Sequence, residues 1–110
     1  QSVTAWGLVD TGADASVFPA DLAVALGHNI KGDGVKSSIT SGIENTALPT
    51  YKHTFVIEIF DSKMQPTWNS GKIEIDCIES NPPILIGVQD ILKNFKLTAD
   101  YINNTLTLEW

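Results

Sequence analysis

Two stretches of strict alternation constrain this chain more than any other feature. Tyr51, His53, Phe55, Ile57 and Ile59 recur at every second position, and so do Ile73, Ile75 and Cys77 against Lys72, Glu74 and Asp76. Side chains of an extended strand point to opposite faces in turn, so period two puts each apolar set on one face. A helix would scatter the same residues around its circumference. These segments are therefore read as strands over Tyr51–Phe60 and Lys72–Ile78, each with one buried face.

The rest of the chain follows the same pattern. Residues Val3 to Val9 form an apolar strand that ends at Asp10-Thr11-Gly12. Val17-Phe18 is extended up to Pro19. A short helix is expected over Pro19–Leu26, with Pro19 at the first position, Asp21 in the first turn and Gly27 as the stop. A loop takes His28 to Gly34. Val35 to Glu44 is a strand running into a turn at Ser41-Gly42, and a loop spans Asp61 to Ser70. Asn81-Pro82-Pro83 breaks the chain before the apolar strand Ile84-Leu85-Ile86. Val88, Ile91, Leu92 and Phe95 sit at i, i+3, i+4 and i+7, which predicts a second short helix. The end is a hairpin, Phe95–Tyr101 and Thr105–Trp110, turned at Asn103-Asn104, where Asn tolerates positive φ. The sum is one all-β domain over residues 1–110 with one or two short helices.

Charge and cysteine content narrow the function. Seven Lys and no Arg face thirteen Asp plus Glu, for a formal charge of -6. Nucleic acid is not an expected partner, because phosphate binding needs clustered cations. No apolar run is long enough to span a membrane. Cys77 is the only cysteine, so no intrachain disulfide and no Cys-based zinc site is expected. A reducing, cytoplasmic compartment fits this, and no signal-like segment opens the chain, although Gln1 in place of Met marks a processed or trimmed start. His28 and His53 have no acidic partner at ligand spacing and are expected to be solvated or at a groove edge, with no metal. Asp33, Glu44, Glu58, Glu74 and Asp76 are expected on solvated faces. Trp6, Trp68 and Trp110 suit packing or an interface.

The segment that carries chemistry is Leu8-Val9-Asp10-Thr11-Gly12-Ala13-Asp14-Ala15-Ser16-Val17-Phe18. An apolar strand delivers a carboxylate into a turn, and Gly12 lets another backbone or a ligand come close. The same triplet also makes an ordinary Asx turn between strands. Its context goes further: about 70 residues later comes Ile84-Leu85-Ile86-Gly87, with a glycine-containing hairpin between. In this order and spacing the chain, over roughly Ala5 to Trp110, resembles the retropepsin-like aspartic proteases, the family of retroviral proteases and their cellular relatives.

That resemblance implies an acid-protease barrel with a flap hairpin and an aspartic endopeptidase that needs no cofactor. Asp10, Thr11 and Gly12 would form the catalytic loop. Leu8, Val17 and Leu85 would line side-chain pockets, and Gly12, Ala13 and Asp14 would hold the substrate main chain. Ser41, Gly42 and Ile43 would form the flap tip that closes over a peptide or protein substrate. Peptide hydrolysis of this kind needs two carboxyl groups close enough to share one proton, one acting as base and the other as acid. Asp10-Thr11-Gly12 is the only such triplet in the chain. One chain thus supplies half a dyad, which implies a two-fold homodimer with Asp10 of each copy at the axis.

Two departures stand out. Retroviral members carry an Arg after the apolar-apolar-Gly stretch, paired with the second Asp of the motif; here Val88 follows Gly87 and Asp14 must find a Lys or backbone N–H. Only nine residues precede Asp10, where the family has a further strand that joins the dimer interface. Both departures keep open a second reading, a dimerisation or peptide-binding module of the same fold with weak or no proteolysis. Asp90, three residues beyond Gly87, is read as a helix cap.

Overall fold

A computed structural model of the chain describes residues 2–43 and 46–110, with the backbone alone for residues 40–43 and 46. Two long strands dominate it, β4 (Thr46–Phe60) and β5 (Pro66–Ile78), paired antiparallel with Tyr51 opposite Cys77, His53 opposite Ile75 and Phe55 opposite Ile73. The alternation forecast the faces correctly. His53, Phe55, Ile75 and Cys77 are buried, while Thr54, Val56, Glu58, Lys72 and Glu74 are exposed.

Around this pair stand β1 (Leu8–Val9), β2 (Val17–Pro19), β3 (Ser37–Ile43) and β6 (Leu85–Ile86). The hydrogen-bonded order is β1-β6-β2-β5-β4-β3. β1 runs parallel to β6 and β2 parallel to β5. The all-β expectation holds, but this six-stranded sheet is open, with β1 and β3 at its edges, and does not close into the expected barrel. Helix α1 (Ala20–Ala25) follows β2 with Pro19 as its N-cap, and Gly27 at φ 90 ends it, close to the expected bounds. Its Ala20 and Ala23 join Phe18, Ile30, Phe55, Ile75 and Cys77 in the core, with Phe18 and Phe55 edge-on at 5.1 Å.

Four expectations are corrected. Ser41 and Gly42 belong to strand β3, not to a turn: Thr40 pairs with Leu48 and Ile43 with Thr46, while Glu44 and Asn45 lie outside the described residues. β5 starts at Pro66, not after Ser70, because the Asp61 carboxylate accepts the N–H groups of Lys63 (2.8 Å) and Gln65 (2.9 Å) and closes a tight turn with Met64 at φ 60. The second helix does not form as an α-helix. Leu92 and Lys93 donate to the carbonyls five residues back, Gly87 and Val88, and only a single 3-10 turn follows at Leu92–Asn94. Val3 to Gly7 is irregular, and β1 holds only Leu8–Val9.

The terminal hairpin forms a separate two-stranded sheet, β7 (Lys96–Asp100) and β8 (Thr105–Glu109), with Asn104 at φ 55 in its turn. Most of its residues are exposed, including Leu97, Leu106 and Trp110. An aromatic row, Trp68–Phe95 at 4.9 Å and Phe95–Trp110 at 5.9 Å, ties its base to β5. No helix among the described residues is long and apolar enough to cross a membrane.

Candidate active site

Asp10 stands where β1 runs out. The N–H of Leu8 donates to Ile84 O (2.8 Å) and that of Asp10 to Ile86 O (2.9 Å), so β6 holds the strand up to the carboxylate-bearing residue. The chain then reverses. Ala13 N–H donates back to Asp10 O at 3.2 Å, and Gly12 N–H donates to Asp10 Oδ1 at 3.0 Å. This is an Asx turn, and it orients the carboxylate by one of its oxygens. A Cβ at Gly12 would lie 3.3 Å from that oxygen, a tight contact that the carboxylate would have to yield to. Asp10 is half-buried and Thr11 and Gly12 are exposed.

A second loop, after β6, braces the first. Val88 N–H donates to Ala13 O (3.0 Å) and Gln89 N–H to Asp14 O (2.7 Å). Beneath them Ser16, fully buried, is the hub. Its Oγ–H donates to Asp90 Oδ1 at 2.7 Å, its N–H donates to the same carboxylate at 3.0 and 3.2 Å, and its Oγ accepts Gly87 N–H at 2.8 Å. Hydrogen bonds to an ionised carboxylate are stronger than neutral ones, so this knot fixes both loops. Gly87 admits it: a Cβ there would lie 2.4 Å from Ala15 C and 2.6 Å from Ala15 O. Asp90 is thus a loop clamp, not a helix cap. Sequence reasoning missed the Ser16–Asp90 partnership, because 74 residues separate the two; the glycine after an apolar pair was the one visible sign of a close approach.

The expected site residues divide. Leu8, Leu85 and Val17 do come together as neighbours across β1, β6 and β2, with Leu8 opposite Leu85 and Leu85 opposite Val17. Leu8 is exposed beside Asp10, Leu85 half-buried and Val17 buried. Ala13 is half-buried and gives its carbonyl to the brace. Asp14 is exposed, and among the described residues its carboxylate takes no ion pair or hydrogen bond. Ser41, Gly42 and Ile43 lie on an arm of the β3–β4 hairpin. No carboxylate is bonded to Asp10 among the described residues, and no cluster of three metal-ligating side chains occurs among them. An apolar groove of about 440 Å³ is lined by Val9, Trp6, Phe18, Phe55 and Ile86 among others and does not include Asp10.

Of the remaining carboxylates, Asp76 pairs with Lys52 at 2.8 Å and Glu74 with Lys36 at 3.8 Å. His53 is buried, not solvated or at a groove edge as expected, and it bonds to the half-buried His28. No family model matches the chain, and no curated protein matches it.

Proposed function

We propose that the chain is one half of a dimeric aspartic endopeptidase, in which Asp10 of each copy forms a dyad that activates water for attack on a peptide carbonyl. The observation that carries this reading is the placement of Asp10. A strand end, a Gly12 N–H bond and a clamped neighbouring loop present one half-buried carboxylate, while no described residue of the chain bonds to it as the partner acid that the chemistry needs. Two such carboxyls brought to about 3 Å share a proton, so one deprotonates water while the other protonates the carbonyl oxygen. The dyad then titrates as a unit. The exposed Leu8 beside Asp10, with Leu85 next to it, favours apolar side chains flanking the cut. The peptide lies extended and bonds to backbone at the loop of Gly12–Asp14 and to the β3–β4 hairpin, as an added strand. The exposed hairpin β7–β8, with Leu97, Leu106 and the following Trp110, supplies surface for the second copy.

The test is cleavage of a diverse peptide library by the purified chain, with and without a statine-type inhibitor. Inhibitor-sensitive cleavage that disappears in Asp10→Asn and Asp10→Ala, both folded, is the expected result. An Asp10→Ala protein that cleaves at the wild-type rate overturns the assignment. That Asp14 takes no partner among the described residues favours the second reading, a dimerising or peptide-binding module. On that reading the folded wild-type chain binds peptides and cleaves none of them.

A further inference from the structure

We propose that His28 and His53 form a proton-sensitive latch that fastens the segment 28–36, and with it the base of the β3–β4 hairpin, to the core sheet. This inference is independent of the role given to Asp10.

The latch is a chain of two hydrogen bonds. His53 Nε2 lies 3.2 Å from Ile30 O, and His53 Nδ1 lies 3.1 Å from His28 Nδ1. A carbonyl oxygen only accepts, so His53 must carry its proton on Nε2. The Nδ1 of a neutral His53 then has a lone pair and accepts, and His28 must donate from Nδ1. His53 is buried, and the rings meet edge to face with centroids 4.9 Å apart. The His28 ring also lies 5.1 Å from that of Phe55.

Counting protons shows why this pair responds to acid. Two N–H groups satisfy both bonds in the neutral pair. A third proton has one free place, His28 Nε2, and leaves both bonds intact, but it puts a cation on a half-buried ring beside Phe55. A fourth proton can enter only at His53 Nδ1, where it would face the Nδ1–H of His28 and break the bond. Burial, and then the charge of His53, hold His28 below the ordinary histidine value of 6.5. Once the segment lifts away, the His28 ring is solvated and free to take a proton, so opening is coupled to proton uptake.

Among the described residues the surroundings offer no compensating charge. On β4 the flanking residues of the same face are Tyr51 and Phe55. On β5 they are Ile73, Ile75 and Cys77, and burial keeps the Cys77 thiol neutral. On the segment itself, Lys31 is turned to Glu79 at 3.2 Å and to the Tyr51 ring, and Asp33 is exposed. From α1 comes only the Ala23 carbonyl, which accepts His28 N–H at 3.0 Å. Asp76 and Lys52 pair on the other face of the sheet. No carboxylate bonds either ring among the described residues. Other described ties of the segment to the body are buried Ile30, the His28 N–H to Ala23 O bond, the exposed Lys31–Glu79 and Lys36–Glu74 pairs, and Lys52 N–H to Lys36 O at 2.9 Å. β3 begins at Ser37, directly after it.

The two histidines are the only ones in the chain, so ring ¹⁵N NMR reads them without ambiguity. At pH 7.5 the expected pattern is His53 with its proton on Nε2, His28 with its proton on Nδ1, and a His28 midpoint below 6.5. Amide exchange, corrected for intrinsic rates, should quicken in residues 28–36 by about tenfold or more between pH 7 and pH 5, as proton-coupled opening requires. The amides of β5 should not follow. In His28→Gln the acid-induced rise in this segment should shrink. A His53 proton on Nδ1, a His28 midpoint at or above 6.5, or segment exchange with the same pH dependence in the variant as in the wild type would each overturn the latch. The first two readouts use the wild-type protein and do not depend on the variant folding.

Discussion

Gly87→Ala probes the contact on which the site rests. Gly87 is not in a left-handed conformation, so the argument is one of space alone. The added methyl would sit 2.4 Å from Ala15 C, 2.6 Å from Ala15 O and 2.8 Å from Ser16 N. All three are backbone atoms and cannot swing aside. The two loops must part, and three bonds between them are at risk: Gly87 N–H to Ser16 Oγ (2.8 Å), Val88 N–H to Ala13 O (3.0 Å) and Gln89 N–H to Asp14 O (2.7 Å). Overpacking costs about 1–3 kcal/mol and each lost hydrogen bond about 1 kcal/mol net, which for three bonds come together to about 4–6 kcal/mol. That is a large share of the roughly 5–15 kcal/mol that stabilises a domain. With an m-value of about 2 kcal/mol/M, the urea midpoint should fall by about 2–3 M. Gly34→Ala is the control. Gly34 has φ +81 and open space around it, so alanine there meets only the left-handed penalty of about 1–2 kcal/mol. If Gly87→Ala costs no more than Gly34→Ala at unchanged m, the close approach of the loops is wrong.

Three further outcomes follow from the packing. Ser16→Ala removes the hub hydroxyl and strands the buried Gly87 N–H; a loss of about 2–4 kcal/mol in urea unfolding is expected, and under 1 kcal/mol would dissolve the clamp. The Cys77 thiol, pushed up to about 11 by burial and then by Asp76, should resist a thiol reagent at pH 8 until the chain unfolds. Since its folded value exceeds the unfolded one, stability should decline as pH rises above about 9, where the unfolded thiol ionises; rapid labelling of the folded chain would contradict its burial. The Lys52–Asp76 pair is part-exposed, at 37% and 19%, so a double-mutant cycle should return about 1 kcal/mol or less, falling with added salt.

The strands and their faces could be read from the chain because period two is a local signal. Tyr51 to Ile59 and Ile73 to Cys77 needed no knowledge of their neighbours for their buried face to be chosen. The helix after Pro19 and the turn at Asn104 were legible for the same reason, since a fixed φ or a tolerance of positive φ belongs to the residue itself. The errors lie where a distant group overrode a local preference. Val88 to Phe95 has helical spacing, but its Asp90 carboxylate is drawn to Ser16 and its N–H groups reach one residue further back than in an α-helix. The β5 start was misplaced because one aspartate side chain, Asp61, closes a tight turn that the polar composition of 61–70 conceals.

The candidate site divides in the same way. Asp10-Thr11-Gly12, as a carboxylate at a strand end with a glycine to turn the chain, is a local pattern and was visible. So was the count of one such triplet, which sets the need for a second copy in the proposed chemistry. Only the tertiary structure decided what holds Asp10 in place, that Leu8, Leu85 and Val17 form one row across three strands, and that His28 and His53 bond to each other. Each of these joins residues from different strands or loops, and hydrogen bonds between distant segments leave no periodicity in the chain. The sequence by itself determined which faces are apolar and where a carboxylate meets a turn. The fold determined which partners those groups find, because partner choice depends on distances that only chain closure sets.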